Sequence, residues 1–312
     1  MKFLVTGING FAAPYLARLL VEEGHEVWGL ARQAPKKNIS QVHYIIGDMA
    51  LIDAKATRLM QEQEFDGVFN LAASTHPPSS FANPAYYFSN NALGTINLAD
   101  VFGNSCVFMQ CSTPEVYGIC PEKEIYENFP LRPMNPYGVS KAAADMYVME
   151  RMRNEMMRGF ITRAGSHTGA GRPACYSISS DAIQIARILK GKQPPVIQVG
   201  NLSSQRGVTA VEDVVKAYYG LMLAYTQDKV SNGEVFHIST TTLHTMEYYL
   251  DFMLDLFDVH AEKIVDEKLV RKIDIPVQIL DSSKLRNRIG WHPTIPLEET
   301  LRGLVNYWMV TI

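Results

Sequence analysis

The first twenty-one residues constrain the fold more than any other stretch of the chain. Lys2-Phe3-Leu4-Val5-Thr6 is an apolar run of strand length, and Gly7-Ile8-Asn9-Gly10-Phe11-Ala12-Ala13 follows at once. A helical pattern continues through Tyr15, Leu16, Leu19, Leu20 and Val21. A buried strand that turns on glycine into a helix aims unpaired N–H groups and the positive helix end at one point, which suits a pyrophosphate. Glycine is needed where the backbone turns tightly and must come close to a ligand. The pattern is G-x-x-G-x-x-A, so Ala13 serves where helix meets strand. An ordinary turn is the bland alternative, but the position at the head of a strand–helix–strand unit favours a dinucleotide site. Gly7, Asn9, Gly10, Phe11 and Ala12 are its candidate contacts.

The alternation then continues. His25–Leu30, Val42–Met49, Gly67–Ala73 and Cys106–Thr113 read as further strands, with helices expected near 53–63 and from Asn91 through Val101. Strands alternating with helices imply an α/β fold with a doubly wound, parallel, Rossmann-type sheet, whose ligands lie beyond the carboxyl ends of the strands. No acid follows the second strand to accept from a ribose 2′-hydroxyl. Arg32 stands there, with Lys36 and Lys37 behind it, which favours NADP(H) over NAD(H). A solvated loop charge is the alternative for Arg32. Asp48, followed by Met49, could meet adenine, and the small residues of Leu71-Ala72-Ala73 let backbone approach a cofactor. Asn91 and Arg163 complete the candidate cofactor set.

Asn135-Pro136-Tyr137-Gly138-Val139-Ser140-Lys141 opens a strongly helical run. Pro136 suits a first helical turn, and Tyr137 and Lys141 are one turn apart on one face. An ammonium there would pull the phenol down from its usual pKa of about 10. Such a Tyr could exchange a proton with a sugar hydroxyl or carbonyl oxygen. Alone, Y-x-x-x-K is as well explained by an ordinary helix surface.

Composition closes off other classes. A net charge of -3 gives no basic field for nucleic acid, and no apolar run is long enough to span a membrane. Cys106, Cys111, Cys120 and Cys175 form no C-x-x-C pair, no His cluster completes a metal site, and the amino terminus carries no leader pattern. A cytoplasmic protein with reduced thiols is expected.

Thr6-Gly7-x-x-Gly10, Asn70-Leu71-Ala72-Ala73, Ser112-Thr113-Pro114-Glu115-Val116-Tyr117-Gly118 and Pro136-Tyr137-Gly138-x-Ser140-Lys141 occur in that order. Together they resemble the extended short-chain dehydrogenase/reductases, the nucleotide-sugar epimerases, dehydratases and reductases. The resemblance implies that Thr113, Tyr137 and Lys141 form a catalytic trio. Thr113 would hold the reacting sugar oxygen, Tyr137 would be the acid/base, and Lys141 would grip the nicotinamide ribose while lowering the Tyr pKa. Glu115 sits where dehydratases keep their base.

In the second half, Phe160–Arg172 is a strand running into a glycine-rich loop that crosses to a substrate lobe. Ser180-Asp181 looks like a helix cap, Val196–Leu202 a strand, and a helix from about Val211 to Tyr225 returns to the first domain. The expected domains therefore interleave: 1–165 with about 207–240 for the cofactor, 166–206 with 241–312 for the substrate. Val199-Gly200-Asn201-Leu202-x-x-x-Arg206, Arg271-x-x-Asp274-x-Pro276 and Ile289-Gly290-Trp291-x-Pro293 look most like GDP-6-deoxy-4-keto-mannose reductases and GDP-mannose 4,6-dehydratases. That implies Arg206 and Arg271 on a diphosphate, a role a planar fork of donors suits, with Asp274 near the nucleoside. Thr75, Ser166, His167, Arg172, Asp181, Val199 and Asn201 complete the candidate substrate set. Ser166-His167 replaces the usual Asn-His, Gly169-Ala170-Gly171-Arg172 replaces Gly-Pro-Gly-Gln, and Arg206-Gly207-Val208 lacks the usual acid and aromatic.

The leading expectation is a reductase of the C4 ketone of a GDP-4-keto-6-deoxyhexose. A GDP-mannose-type 4,6-dehydratase, a 4-epimerase and a non-catalytic NADP(H)-binding scaffold or sensor are the alternatives. The short loop between Arg32 and Asn38 favours the reductase over the dehydratase. The resemblance also implies a homodimer through the helices near 91–103 and 137–158. Met146, Met149, Met152, Met156 and Met157 supply a soft apolar set there.

Overall fold

Seven strands, all parallel, make the central sheet of the computed structural model. Residues 1–312 are described except 36, 121–123 and 272, so Lys36 lies outside the described residues. The strands are β1 (Lys2–Thr6), β2 (Glu26–Ala31), β3 (Val42–Ile46), β4 (Gly67–Asn70), β5 (Val107–Ser112), β6 (Arg158–Ala164) and a seventh, Val235–Ile238. In space they run β3-β2-β1-β4-β5-β6 and then the seventh strand. Helices cover both faces, so the inner strands read as unbroken apolar runs rather than alternating ones. On one face α1 (Ala13–Glu22) and the Val211–Thr226 helix pack Leu16, Leu20, Tyr218 and Leu221 against Phe3, Phe69 and Phe160. On the other, Met60, Leu98, Phe102, Val148 and Met152 cover Leu4, Val68 and Phe108. Each such side chain contributes roughly 1.5–3 kcal/mol by leaving water.

The chain reverses its winding direction between β1 and β4, which opens a crevice at their carboxyl ends. Side chains fasten the sheet at that line. The Thr6 hydroxyl donates to Asn70 Oδ1 at 2.8 Å and accepts from Ala72 N at 2.9 Å, while Asn70 Nδ2 donates to Gln110 Oε1 at 2.8 Å. The buried polar groups of β1, β4 and β5 thus satisfy one another.

The remaining segments make a smaller body. Helices Ser177–Leu189, Met246–Leu256 and Leu297–Thr311 share a core of Ile185, Ile197, Tyr249, Leu250, Met253, Leu301 and Leu304. Strands Val196–Val199 and Glu262–Val265 pair in parallel beside it.

Several expected boundaries shift. The helix placed at Ser180-Asp181 begins at Ser177, so Asp181 lies inside it. The helix expected to start at Asn91 is a continuation: Pro84–Phe88 passes through a π-turn, Ser89–Leu93, into Gly94–Phe102. The long helix spans Pro136–Arg153 and stops before Met156 and Met157. Strand β3 ends at Ile46, and Asp48 instead caps the turn Met49–Leu51 by accepting from Ala50 N at 2.9 Å.

Candidate active site

The turn after β1 has the features an anion requires. Gly7 holds φ +67°, and a Cβ there would come within 2.8 Å of the Ala72 Cα. The N-terminus of α1 has Ala12 at its cap, no side-chain cap bond and no acid in its first turn; Pro14 has no N–H and the Tyr15 and Leu16 amides donate to Ala12 O, so what faces the turn is the positive end of the helix with no acid to oppose it. These residues fit a dinucleotide diphosphate. Asn9 Nδ2 donates to Gln33 O at 2.9 Å, tying this turn to the end of β2. There Arg32 is exposed, and its Nη1 donates to the Tyr86 hydroxyl at 2.9 Å. The Arg32 guanidinium and a hydrogen bond with Ser74 hold the Tyr86 phenol below its usual range.

Asn91 faces inward from the π-turn. Its Oδ1 accepts from Ser74 N at 2.8 Å, and its Nδ2 donates to Ser74 O at 3.0 Å and Ser140 Oγ at 2.9 Å. That fixes the segment after Ala73 against the Pro136–Arg153 helix. A π-turn widens the helix locally, as helices often do at functional sites.

Thr113 follows β5 directly and caps the turn Pro114–Val116, and Tyr137 and Lys141 come from the first two turns of the Pro136–Arg153 helix. Asn135 sets that helix start: its Oδ1 accepts from Gly138 N at 2.8 Å, and its Nδ2 donates to Glu115 Oε2 at 2.8 Å. A Cβ on Gly138 would meet Glu115 O at 2.7 Å, so glycine lets the helix approach the turn carrying Thr113 and Glu115. Tyr137, Lys141 and Thr113 are all buried. Burial drives the Tyr137 phenol well above its ordinary range, against a hydrogen bond from Thr113 that pulls it down. Lys141 is pushed below its usual range by burial, and its Nζ donates to Cys111 O at 2.6 Å. The lowering of the Tyr137 pKa expected from Lys141 is not what sets the phenol here: burial raises it, and the ammonium is engaged by a backbone carbonyl.

Arg163 also differs from expectation. Its side chain is 2 % exposed and spent within the fold, with Nε on Asp145 Oδ2 at 3.1 Å and Nη1 on the Tyr117 hydroxyl at 2.6 Å. Asp145 also accepts from Ser112 Oγ at 2.7 Å, and Tyr117 meets His237 Nε2 at 2.6 Å. The guanidinium thus ties β6 to the Pro136–Arg153 helix and to the segment after β5.

Across the crevice, Arg206 Nη2 pairs with Asp274 Oδ1 at 3.5 Å, and Asn201 Nδ2 donates to Asp274 Oδ2 at 2.9 Å. Arg206 feels the charges of Asp274, Arg271 and Glu115, and His76 that of Arg271, so these groups share one electrostatic neighbourhood. The loop after β6 brings His167 and Arg172 to Phe11: the His167 ring stacks on Phe11 at 6.0 Å, and Arg172 Cζ lies 4.9 Å from the Phe11 ring. Burial and Arg172 push His167 down to about 4, so it is neutral at physiological pH. Thr75 Oγ1 and the Tyr176 hydroxyl are 2.6 Å apart, joining the segment after β4 to the loop before the Ser177–Leu189 helix. Among the described residues, no hydrogen bond or ion pair joins Asp181 or Val199 to this cluster. Val199 is a buried strand residue, and Asp181 is buried inside its helix with its carboxyl driven up to about 8 by burial. Ser166 engages the fold through its carbonyl, which accepts from Thr209 N at 3.0 Å.

The family model described as GDP-mannose 4,6 dehydratase matches residues 4–304. The chain belongs to that family. Within it, GDP-6-deoxy-D-mannose reductase of Pseudomonas aeruginosa is 28% identical, over 98% of this chain and 97% of its own. GDP-mannose 4,6-dehydratase of Vibrio cholerae is 25% identical, over 97% and 92%. The structure of RMD from Pseudomonas aeruginosa complexed with NADPH superposes with a TM-score of 0.85 at 25% identity, covering 100% of this chain and 99% of that one. A Thermus thermophilus UDP-glucose 4-epimerase complex with NAD shares the fold, with a TM-score of 0.85 at 24% identity. The protein is thus an extended short-chain dehydrogenase/reductase, an NAD(P)-dependent enzyme acting on a nucleotide sugar.

Family motifs located the trio and the glycine turn. They did not locate Asn135 as the holder of Glu115, Asp145 as the acid behind β5, or Tyr176 on Thr75. Asn135 carried a local signal, being a capping residue before Pro136. The other two join segments far apart in the sequence.

Proposed function

We propose that the protein reduces the C4 ketone of a GDP-4-keto-6-deoxyhexose, with NADPH as the hydride donor, in the cytoplasm. The observation that carries this reading is that the Tyr137 phenol is buried together with Thr113, which follows the carboxyl end of β5, and with Lys141 one helical turn on. When bound, NADPH would supply the hydride to C4. As the C4 oxygen gains electrons, Tyr137 Oη gives it a proton and the Thr113 hydroxyl stabilises its developing charge. A phenol raised by burial stays protonated at neutral pH, as a donor must. Lys141 carries positive charge toward the phenolate that remains. The same residues serve oxidation in reverse.

Arg32, at the end of β2, supports NADP(H), since a guanidinium can grip a 2′-phosphate. Arg206 and Arg271 would take the substrate diphosphate. One observation favours the dehydratase as second reading: Asn135 holds Glu115 beside the trio, where a base for C5 would stand. A 4-epimerase would use the same trio. A non-catalytic NADP(H)-binding scaffold has no need of it. A shallow apolar groove lined by Pro84, Phe88, Pro133, Met134 and Val139, with Met146 beyond it, supports a homodimer through the helices that flank it.

NADPH absorbance, followed as the protein meets GDP-4-keto-6-deoxymannose, tests the reading. It should fall with the native chain and lose at least about a hundredfold in rate with Tyr137→Phe, as expected when a general acid is removed. Steady absorbance with substrate and cofactor both bound would sink it. Release of a 4-keto product from GDP-mannose would transfer the assignment to the dehydratase.

A further inference from the structure

Three arginines are drawn from solvent around the crevice, and two are answered by acids. Arg163 pairs with Asp145, and Arg206 with Asp274. Arg172 is not: no described residue ion-pairs with its guanidinium or accepts a hydrogen bond from it. It is held only by aromatic faces, with Cζ 3.7 Å from the Tyr176 ring centroid and 4.9 Å from that of Phe11. Cation–π contact positions a guanidinium and offsets part of its lost hydration, but leaves its five N–H donors unspent. Burial pulls its pKa below the ordinary value, so ionisation here is held at a cost. A partly buried, pre-oriented cation without an anion calls for one from a ligand.

Its surroundings indicate which anion. Phe11 belongs to the glycine turn, and the loop carrying Arg172 is anchored on α1 itself, where the Tyr15 hydroxyl donates to Ala170 O at 2.6 Å. The guanidinium therefore stands over the N-terminus of α1. Tyr176, the nearer of the two rings, is fixed by its hydroxyl contact with Thr75 in the segment after β4. Arg206 and Arg271 already serve the opposite side.

We propose that Arg172, delivered from the loop after β6, closes over the cofactor crevice as a side-chain ligand for the dinucleotide's diphosphate, complementing the backbone N–H groups of α1. This rests on the dinucleotide reading above and moves Arg172 from the expected substrate set to the cofactor. NADPH and NADH share that diphosphate, so Arg172 acts on both, whereas Arg32 acts on the 2′-phosphate alone.

Calorimetric titration of the full chain with NADPH, NADH and GDP tests it, using native protein, Arg172→Gln, Arg172→Lys and Arg32→Ala. Arg172→Gln should weaken NADPH and NADH alike by roughly tenfold, the worth of one charge-assisted hydrogen bond. GDP affinity and melting temperature should hold, and Arg172→Lys should recover part of the loss. Arg32→Ala should weaken NADPH alone. A loss confined to GDP would give Arg172 to the sugar nucleotide's diphosphate and overturn the proposal. So would unchanged affinities for all three ligands, or an Arg172→Lys as weak as Arg172→Gln, since either leaves only stacking. If native protein bound neither dinucleotide, the cofactor reading itself would fall, a result distinct from these.

Discussion

Asp181 is 4 % exposed, and burial alone drives its carboxyl up to about 8. Unfolded, it ionises near about 3.9. Between those values the unfolded chain binds fewer protons than the native one, so this residue's contribution to stability falls as pH rises and is fully lost above about 8. Asp181→Asn cannot ionise and escapes the loss. Its melting temperature should exceed the native chain's by a few degrees more at pH 8.5 than at pH 5; a difference constant with pH would refute the buried acid. The sequence reading took Ser180-Asp181 for a helix cap and placed Asp181 in the candidate substrate set. Its three-dimensional setting is interior instead. Tyr137 makes the same point in reverse: the residue was legible from Y-x-x-x-K, but its direction of shift was not. Burial arises from packing that spacing does not encode.

The elements most legible were those written locally. The strand, glycine turn and α1 follow from one contiguous stretch, and the parallel sheet from alternation. The π-turn was not legible, because it exists to aim Asn91 at Ser74 and Ser140, which lie 17 and 49 residues away in the chain. The start of the Pro136–Arg153 helix depends on Asn135, which satisfies Gly138 N while restraining Glu115. Asn135→Ala should destabilise by about 1 kcal/mol, the usual worth of a cap, and lower the melting temperature by about 2–4 °C. Calorimetry showing an unchanged transition would mean that the helix start is fixed by Pro136 and packing alone.

Over the whole molecule, the methionine set divides. Met152 and Met157 are core residues and Met149 packs against that core, whereas Met146 is 63 % exposed on the same helix as Val139. Met146→Asp therefore probes assembly without disturbing the interior. Light scattering should show a dimer become a monomer with an unchanged melting profile at low concentration; a persistent dimer would place the interface elsewhere. The seventh strand has a consequence of another kind. Val235–Ile238 pairs with β6, which ended at Ala164. While the protein is being made, that edge of β6 waits roughly seventy residues for its partner, several seconds or more at ordinary rates of synthesis. During that time it offers an unpaired row of N–H and C=O groups to any neighbouring strand. The helices that precede the return, Ser177–Leu189 and Val211–Thr226, emerge first. The second can shelter one face of the unfinished sheet before its last strand arrives, so the order of the chain guards its own incomplete form.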